Sequence, residues 1–147
     1  MMESKTLISV ALLVLRIVLG VIMTAHGMQK VGLIGDSSIQ QTLDWFAGMG
    51  IPAWAGYCNI AAELLGGIGI VVGLLGRFAA MGIAASMLVA IWVVHLPNGL
   101  FAPDGFELPL ALAGMAIALI LTGMGPYSID ALIAKKMDAA TGTGGGA

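Results

Sequence analysis

The chain has 147 residues, of which 59% are hydrophobic and only 10% are charged, and its net charge at neutral pH is −2. Soluble domains carry about 25% charged residues, so this composition excludes a water-soluble globule and predicts a protein whose main solvent is lipid. The six Lys and Arg are spread along the chain and form no basic surface, which excludes nucleic acid as a partner. The one cysteine, Cys58, excludes an intrachain disulfide and a C-x-x-C site.

Four apolar stretches are each close to the roughly 20 residues that cross a bilayer as a helix. They cover residues 7–28, 56–75, 78–96 and 108–124. The stretches are continuous and lack dyad alternation, which favours helices over a barrel. We therefore predict an all-α membrane protein, a four-transmembrane-helix bundle in which residues 1–134 form one domain. Small residues in the second and third spans predict close helix packing: Gly66, Gly69, Gly73, Gly76, Gly82 and Ser86.

The connection between the first two spans has a helical pattern of its own. Ser38 followed by Gln41 is typical of a capping box, and apolar residues recur at helical spacing after it: Ile39, Leu43 and Phe46. We predict a short amphipathic helix that lies in the outer membrane interface. A partly ordered loop is the alternative.

Basic residues in the short connections set the expected orientation. Four fall on one side of the membrane, Lys5, Arg77, Lys135 and Lys136, and only Lys30 falls on the other. The positive-inside rule then places both termini in the cytoplasm and both long connections outside. The second and third spans are joined so closely that they must form a tight antiparallel hairpin. The Gly-rich segment 135–147 is predicted to be a disordered tail.

Arg16 and Glu63 are ionisable residues inside predicted spans. A charge at the bilayer centre costs roughly 2.5–3.5 kcal/mol on insertion scales, so each should face the bundle interior. Counted from the outer ends of their helices, the two residues differ in level by about 6 Å, which two long side chains can bridge. We predict a structural ion pair between them. The alternative is that Glu63 takes up a proton or anchors a polar group of a ligand.

Polar residues gather at the predicted outer side of the bundle. They are His26, Lys30, Asn59, Glu63, His95, Asn98 and Glu107. His26 and Lys30 are four residues apart, as are Asn59 and Glu63, so each pair shares a helix face. Because these segments come from different helices at one membrane level, we predict a shared cavity. The alternative is that each residue is an interfacial anchor.

A quinone head group fits such a cavity, because it needs an apolar slot and polar groups that bind and protonate its carbonyl oxygens. Haem ligated by His26 and His95 is disfavoured, since both lie near the interface and no other haem motif is present. A metal site built from these histidines with Glu63 and Glu107 is another alternative, and we predict none. A small lipid-soluble solute that is carried without reaction would use the same residues.

Four segments of the chain resemble the DoxX family of small bacterial membrane proteins, over roughly residues 15–132. The most specific motifs are AHG-x-QK at the end of the first span, AELLGG in the second, HLPNG after the third and PYSID after the fourth. The resemblance implies a four-helix fold in a bacterial inner membrane. It also implies an association with quinone-linked oxidation of sulfur compounds or with thiol and oxidative-stress complexes. By position it implies these motif residues as the site: His26, Lys30, Glu63, His95, Asn98 and Glu107.

The leading hypothesis is a membrane subunit or accessory protein of a quinone-linked or thiol redox system. Its partners would be the lipid bilayer and soluble redox proteins, and the sequence is compatible with a homo-oligomer. The rival hypothesis is a non-enzymatic protein, either a small-solute carrier or a membrane scaffold that docks soluble partners. The sequence is compatible with an enzyme and with either rival.

Overall fold

The computed structural model describes residues 2–101 and 103–141, and the regular structure in these ranges is helical. The α-helices are α1 (Met2–Lys30), α2 (Ile39–Gly48), α3 (Ala53–Val72), α4 (Gly76–Ala90), α5 (Glu107–Thr122) and α6 (Ile129–Thr141). Helix α4 continues through a π-helical turn, Ile91–His95, and a 3₁₀ turn, Leu96–Asn98.

The predicted apolar stretches coincide with α1, α3, α4 and α5. Within the described ranges, three segments are long and apolar enough to cross a membrane: Glu3–Lys30, Ala53–Val72 and Gly76–Asn98. Helix α5 is equally apolar but has 16 residues, about 24 Å at 1.5 Å per residue. The all-helical membrane architecture is thus confirmed, and α5 as a fourth crossing stays a prediction.

These four apolar helices surround one hydrophobic core. Side chains that are fully excluded from the surface come from every one of them, for example Leu19, Met23, Ile70, Ile83 and Leu119. Large apolar side chains also cover the outside of the bundle, such as Trp92 and Leu121, each 75% exposed. An apolar interior within an apolar exterior is expected where the surrounding solvent is lipid.

Helices α1 and α3 pack antiparallel with their backbones in close approach. A Cβ atom added to Gly27 would lie 2.5 Å from the Leu64 nitrogen, and one added to Gly67 would lie 2.6 Å from the Thr24 nitrogen. Both positions therefore require glycine, as in other close helix pairs of membrane proteins. These contacts fix the register, which places the last half of α1 along the last half of α3.

The bundle has two ends of different construction. The terminal end carries the short α3–α4 turn and the α5–α6 connection, and the loop end carries the two long connections, residues 31–52 and 99–106.

At the terminal end Arg16 is 1% exposed, and its guanidinium donates four hydrogen bonds to backbone carbonyls. The acceptors are Ile70 (3.0 Å), Val71 (2.8 Å), Met124 (3.0 Å) and Tyr127 (2.6 Å). Because the carbonyls in the last turn of α3 have no helical partner, Arg16 caps that helix and ties it to the α5–α6 connection.

Asp130 caps the other side of the α3–α4 turn. Its carboxylate accepts the N–H groups of Leu75 (2.9 Å) and Gly76 (3.0 Å), at the start of α4. Its own N–H donates to the carbonyl of Gly73 at 2.9 Å. Gly73 has φ +72°, a left-handed conformation that favours glycine. The predicted tight hairpin is therefore confirmed, and α6 is fastened to it.

Helix α6 extends to Thr141, so residues 135–141, predicted to be disordered, are helical. Ser128 caps the helix start by accepting the Ala131 N–H at 3.2 Å. The Ala, Lys and Met residues that follow favour helix, and the Gly-rich composition of the tail applies only farther on. The rest of the predicted tail, residues 142–147, lies outside the described residues.

The predicted amphipathic helix of the first connection forms as α2. The hydroxyl of Ser38 accepts the Gln41 N–H at 3.2 Å, as the capping pattern predicts. Leu43 and Phe46 are buried, whereas Ile39 is 41% exposed, so the predicted apolar face is confirmed at two of its three positions. The location of α2 in a membrane interface stays a prediction.

Candidate ligand cavity at the loop end

A cavity of about 290 Å³ lies at the loop end, between α1, α2, α3, α4 and α5. Most of its wall is apolar, and six polar or ionisable side chains reach it: His26, Lys30, Asn59, Glu63, Ser86 and His95. Small-molecule sites typically measure about 300–1,000 Å³ and combine apolar walls with a few polar groups. This cavity therefore has the size and character of a site for one small ring or solute.

Lys30 and Glu63 form an ion pair on the cavity wall. The Glu63 side chain is 3% exposed and that of Lys30 is 23% exposed. The Lys30 ammonium also donates to Asn59 Oδ1 at 2.7 Å, and Asn59 Nδ2 donates to Ser86 Oγ at 3.1 Å. This chain of hydrogen bonds connects α1, α3 and α4 through one polar network.

Helix α2 packs over the Lys30 end of this network. The Phe46 ring centroid lies 5.6 Å from Lys30 Nζ, within the range of a cation–π interaction. The Thr42 hydroxyl donates to the Lys30 carbonyl at 3.1 Å, which satisfies a backbone group at the end of α1. The amphipathic helix thus fixes the position of Lys30 and forms part of the cavity.

One oxygen of Glu63 has no hydrogen-bond partner among the described residues. Oε1 accepts from Lys30, whereas Oε2 is excluded from solvent and unpaired. Buried polar atoms are nearly always hydrogen-bonded, so an exception in a native fold needs a reason. Because Glu63 lines the cavity, a ligand in the cavity can supply the missing partner.

His95 enters the cavity from the π-helical turn, a feature often found at functional sites. Its Nδ1 lies 2.8 Å from the Asp104 carbonyl oxygen. Since a carbonyl only accepts, Nδ1 carries the proton, and Nε2 of the neutral ring is an acceptor. Asn98 Nδ2 donates to the same carbonyl and to that of Val94, each at 3.3 Å. The HLPNG segment therefore fixes the orientation of His95.

The structure brings together five of the seven residues selected from sequence. His26, Lys30, Asn59, Glu63 and His95 line the cavity. Asn98 and Glu107 do not. Asn98 secures the second connection, and Glu107 is exposed at the first residue of α5.

Among the polar and aromatic residues that line the cavity, three were not selected from sequence: Trp45, Phe46 and Ser86. From sequence, Ser86 is a small packing residue and Phe46 belongs to the apolar face of α2. The spacing that places Phe46 on the buried face of α2 was available as a signal. The hydrogen bond from Asn59 to Ser86 depends on the register of α3 against α4, which the sequence does not show.

The predicted ion pair between Arg16 and Glu63 is wrong, because Arg16 binds backbone carbonyls and Glu63 binds Lys30. Leu64, next to Glu63, lies against Gly27, and Arg16 is eleven residues earlier on α1, about 16 Å along the axis. The sequence estimate treated the outer ends of the two helices as level. In this register α3 extends about 12 Å beyond the end of α1.

The alternative metal site is not assembled among the described residues. Within residues 2–101 and 103–141 no three His, Cys, Asp or Glu side chains gather closely enough to hold a metal ion. The alternative site of His26, His95, Glu63 and Glu107 also loses Glu107, which lies off the cavity wall.

The sequence matches two family models that overlap along the chain. The model described as DoxX matches residues 11–96, and the one described as TQO small subunit DoxD matches residues 54–143. Between them these ranges include every residue that lines the cavity. No solved structure shows a significant match to the chain.

Two curated proteins are similar over most of their length. One is the "Putative oxidoreductase CatD" of Bacillus subtilis (strain 168), 29% identical over 84% of this chain and 87% of that protein. The other is the "Inner membrane protein YqjF" of Escherichia coli (strain K12), 31% identical over 90% of this chain and 98% of that protein.

Proposed function

The chain belongs to the DoxX family of membrane proteins, and we propose that it is a membrane subunit or accessory protein of a quinone-linked or thiol redox system. In this proposal the loop-end cavity binds a quinone-like ring. The observation that carries it is the Lys30–Glu63 ion pair in an apolar-walled cavity, whose buried carboxylate has one oxygen unpaired among the described residues.

The unpaired oxygen of Glu63 supports the interpretation that the ion pair binds a ligand instead of only joining two helices. Burying two charges is costly, and a pair that only joins helices recovers the cost when all its hydrogen-bonding atoms are satisfied. Glu63 Oε2 is not satisfied among the described residues. Ionisable groups inside membrane proteins commonly mark ligand or proton sites.

One matching family model and the Bacillus relative also support a redox role. The second matching model is described as a small subunit of TQO, thiosulfate:quinone oxidoreductase, and the Bacillus relative is named a putative oxidoreductase. A ring with oxygen substituents suits the cavity, since apolar walls would hold the ring while Glu63, Lys30 and His95 bind its oxygens.

The accompanying membrane topology has α1, α3, α4 and α5 as four crossings and both termini in the cytoplasm. Lys and Arg are concentrated in the segments at the terminal end, which supports this orientation. Reporter fusions at Ala147 and within residues 34–38 test it. A cytoplasmic C-terminus with an external first connection is expected, and termini on opposite sides would exclude the fourth crossing.

The ligand proposal is tested on full-length protein purified into lipid nanodiscs. Lipid extracts of the protein are analysed for quinone by mass spectrometry, and menadione binding is titrated. Ala90→Phe adds a ring at the cavity wall and should weaken binding at least tenfold. Ala61→Phe, on the exposed face of α3, is the matched control and should not change it.

Three outcomes would contradict the proposal. Absence of both co-purified quinone and menadione binding, combined with stable capture of soluble proteins, favours the scaffold hypothesis. Equal binding by the two phenylalanine variants shows that the ring binds elsewhere. A Soret band that disappears in His26→Ala or His95→Ala identifies haem as the ligand instead.

A further inference from the structure

The unpaired atom in the cavity defines the kind of chemical group that it takes. Glu63 is ion-paired with Lys30, and an ionised carboxylate accepts hydrogen bonds but donates none. Its buried Oε2 therefore needs a donor. A ligand atom placed there satisfies the site only if it carries a proton.

Building on the proposed ring-binding function, we infer that the cavity prefers the reduced, hydroxyl-bearing form of its ring ligand, a hydroquinone, over the oxidised quinone. The hydroxyl donates to Glu63 Oε2. A quinone carbonyl at the same position would set two acceptors against each other and leave both unsatisfied.

A second acceptor on the cavity wall supports the same ligand. The Nδ1–H of His95 is used by the Asp104 carbonyl, so the lone pair of the neutral ring is at Nε2. Hydroquinones carry two hydroxyls, and two residues of the cavity wall offer acceptors to them, the unpaired Oε2 of Glu63 and the Nε2 of His95. The two carbonyls of a quinone cannot donate a hydrogen bond to either acceptor.

The charge balance excludes an anion at the same position. Among the described residues that line the cavity, Lys30 is the one Lys or Arg, and its ammonium already binds Glu63 and Asn59. A sulfur oxyanion against Oε2 would meet a carboxylate without an uncommitted Lys or Arg nearby. An uncharged donor such as a hydroxyl therefore fits Glu63 Oε2 better than an anion does.

The experiment compares three rings of the same skeleton in nanodiscs under anaerobic conditions. Menadiol has two hydroxyls, menadione has two carbonyls, and the dimethyl ether of menadiol keeps the aromatic ring without a donor. Isothermal titration of the wild-type protein should show menadiol binding at least tenfold more tightly than either of the others, because hydrogen bonds to a charged acceptor are strong.

Glu63→Gln gives the second measurement. The amide nitrogen can stand at the position of Oε2 and donate, so the preference for menadiol over menadione should fall below threefold or reverse. Glu3→Gln makes the same change on the exposed first turn of α1 and should keep the preference. The three-ring comparison on wild-type protein decides the inference even if Glu63→Gln does not fold.

The outcomes separate the inference from the function on which it rests. Binding of all three rings within twofold overturns the inference and leaves the ring site standing. Equal affinity for menadiol and its dimethyl ether also overturns it, since hydroxyl donation would then contribute nothing. Binding of none of the rings overturns the proposed function and the inference together.

Discussion

Two buried charged groups, one at each end of the bundle, differ in how completely their polar atoms are used. At the terminal end Arg16 donates four hydrogen bonds, all to backbone carbonyls. At the loop end Glu63 uses one oxygen for Lys30 and leaves the other unpaired among the described residues. Each guanidinium nitrogen of Arg16 has a carbonyl partner, as expected of a structural anchor, whereas the unpaired oxygen of Glu63 is the basis of its proposed binding role.

The two ends of the bundle also differ in the backbone that surrounds these groups. The α3–α4 turn at the terminal end is short and capped from both sides, by Arg16 and by Asp130. The loop end has long connections and a π-helical turn, and its helices surround a cavity. One end is closed by hydrogen bonds to the main chain, and the other contains the cavity.

Replacing Arg16 should have the largest effect on stability. Arg16→Leu removes the donors of four carbonyls in a region with little water, and each unsatisfied buried group costs about 1–3 kcal/mol. We expect a loss of roughly 4–8 kcal/mol, which leaves little folded protein. The yield of monodisperse protein and an SDS unfolding titration measure it.

Arg77→Leu is the matched control, because Arg77 is exposed. It should change the free energy of unfolding by less than about 0.5 kcal/mol. A folded, stable Arg16→Leu protein would contradict the role of Arg16 as an anchor and remove the contrast between the two ends.

Replacing Lys30 should have the next largest effect. Lys30→Met leaves the Glu63 charge buried and unpaired, which costs about 3–5 kcal/mol in fully buried pairs. Since the Lys30 side chain is 23% exposed, we expect about 3 kcal/mol. The double variant Lys30→Met/Glu63→Gln should be more stable than Lys30→Met alone, in a double-mutant cycle. Additive effects would show that the pair is not coupled.

Much of the fold follows from patterns within single helices. The apolar stretches predict α1, α3, α4 and α5 to within a few residues, and Ser38 with Gln41 predicts the start of α2. These features depend on hydrophobic length and local capping, which the sequence carries directly. Helix α6 was not predicted, because residues 135–147 were treated as one Gly-rich tail. The glycines lie near the chain end, whereas the first part of this segment favours helix.

Contacts between helices were predicted less well. The partner of Glu63 depends on the register of α1 against α3, which the close contact of Gly27 with Leu64 sets. If the outer ends of α1 and α3 were level, Arg16 would be the residue within reach of Glu63. In the observed register the partner is Lys30. The membrane level of polar residues predicts which of them share a cavity, because a cavity several ångströms wide tolerates an error in helix register. A hydrogen bond does not tolerate that error.

Asp130 offers a smaller test of the terminal end. Asp130→Ala removes the acceptor for the Leu75 and Gly76 N–H groups, and loss of such a helix cap costs about 0.5–2 kcal/mol. We expect a decrease of about 1–2 kcal/mol in the free energy of unfolding and unchanged ligand affinity at the loop end. Asp138→Ala, on exposed α6, is the control. A tenfold loss of affinity would show that the two ends are coupled.

The smallest effect is expected at Glu107, which the sequence selects for the site and the structure leaves off the cavity wall. Glu107→Gln is isosteric and lies at the exposed start of α5, where a negative charge favours the helix by about 0.3–1 kcal/mol. We expect a loss of stability of about 0.5 kcal/mol and a menadiol affinity within twofold of the wild type. Binding titrations on Glu107→Gln and His26→Ala, made in parallel, check this, because His26 lines the cavity and its loss should weaken binding. A tenfold loss in Glu107→Gln would extend the site to the start of α5, and the loop end would then bind its ligand through two carboxylates.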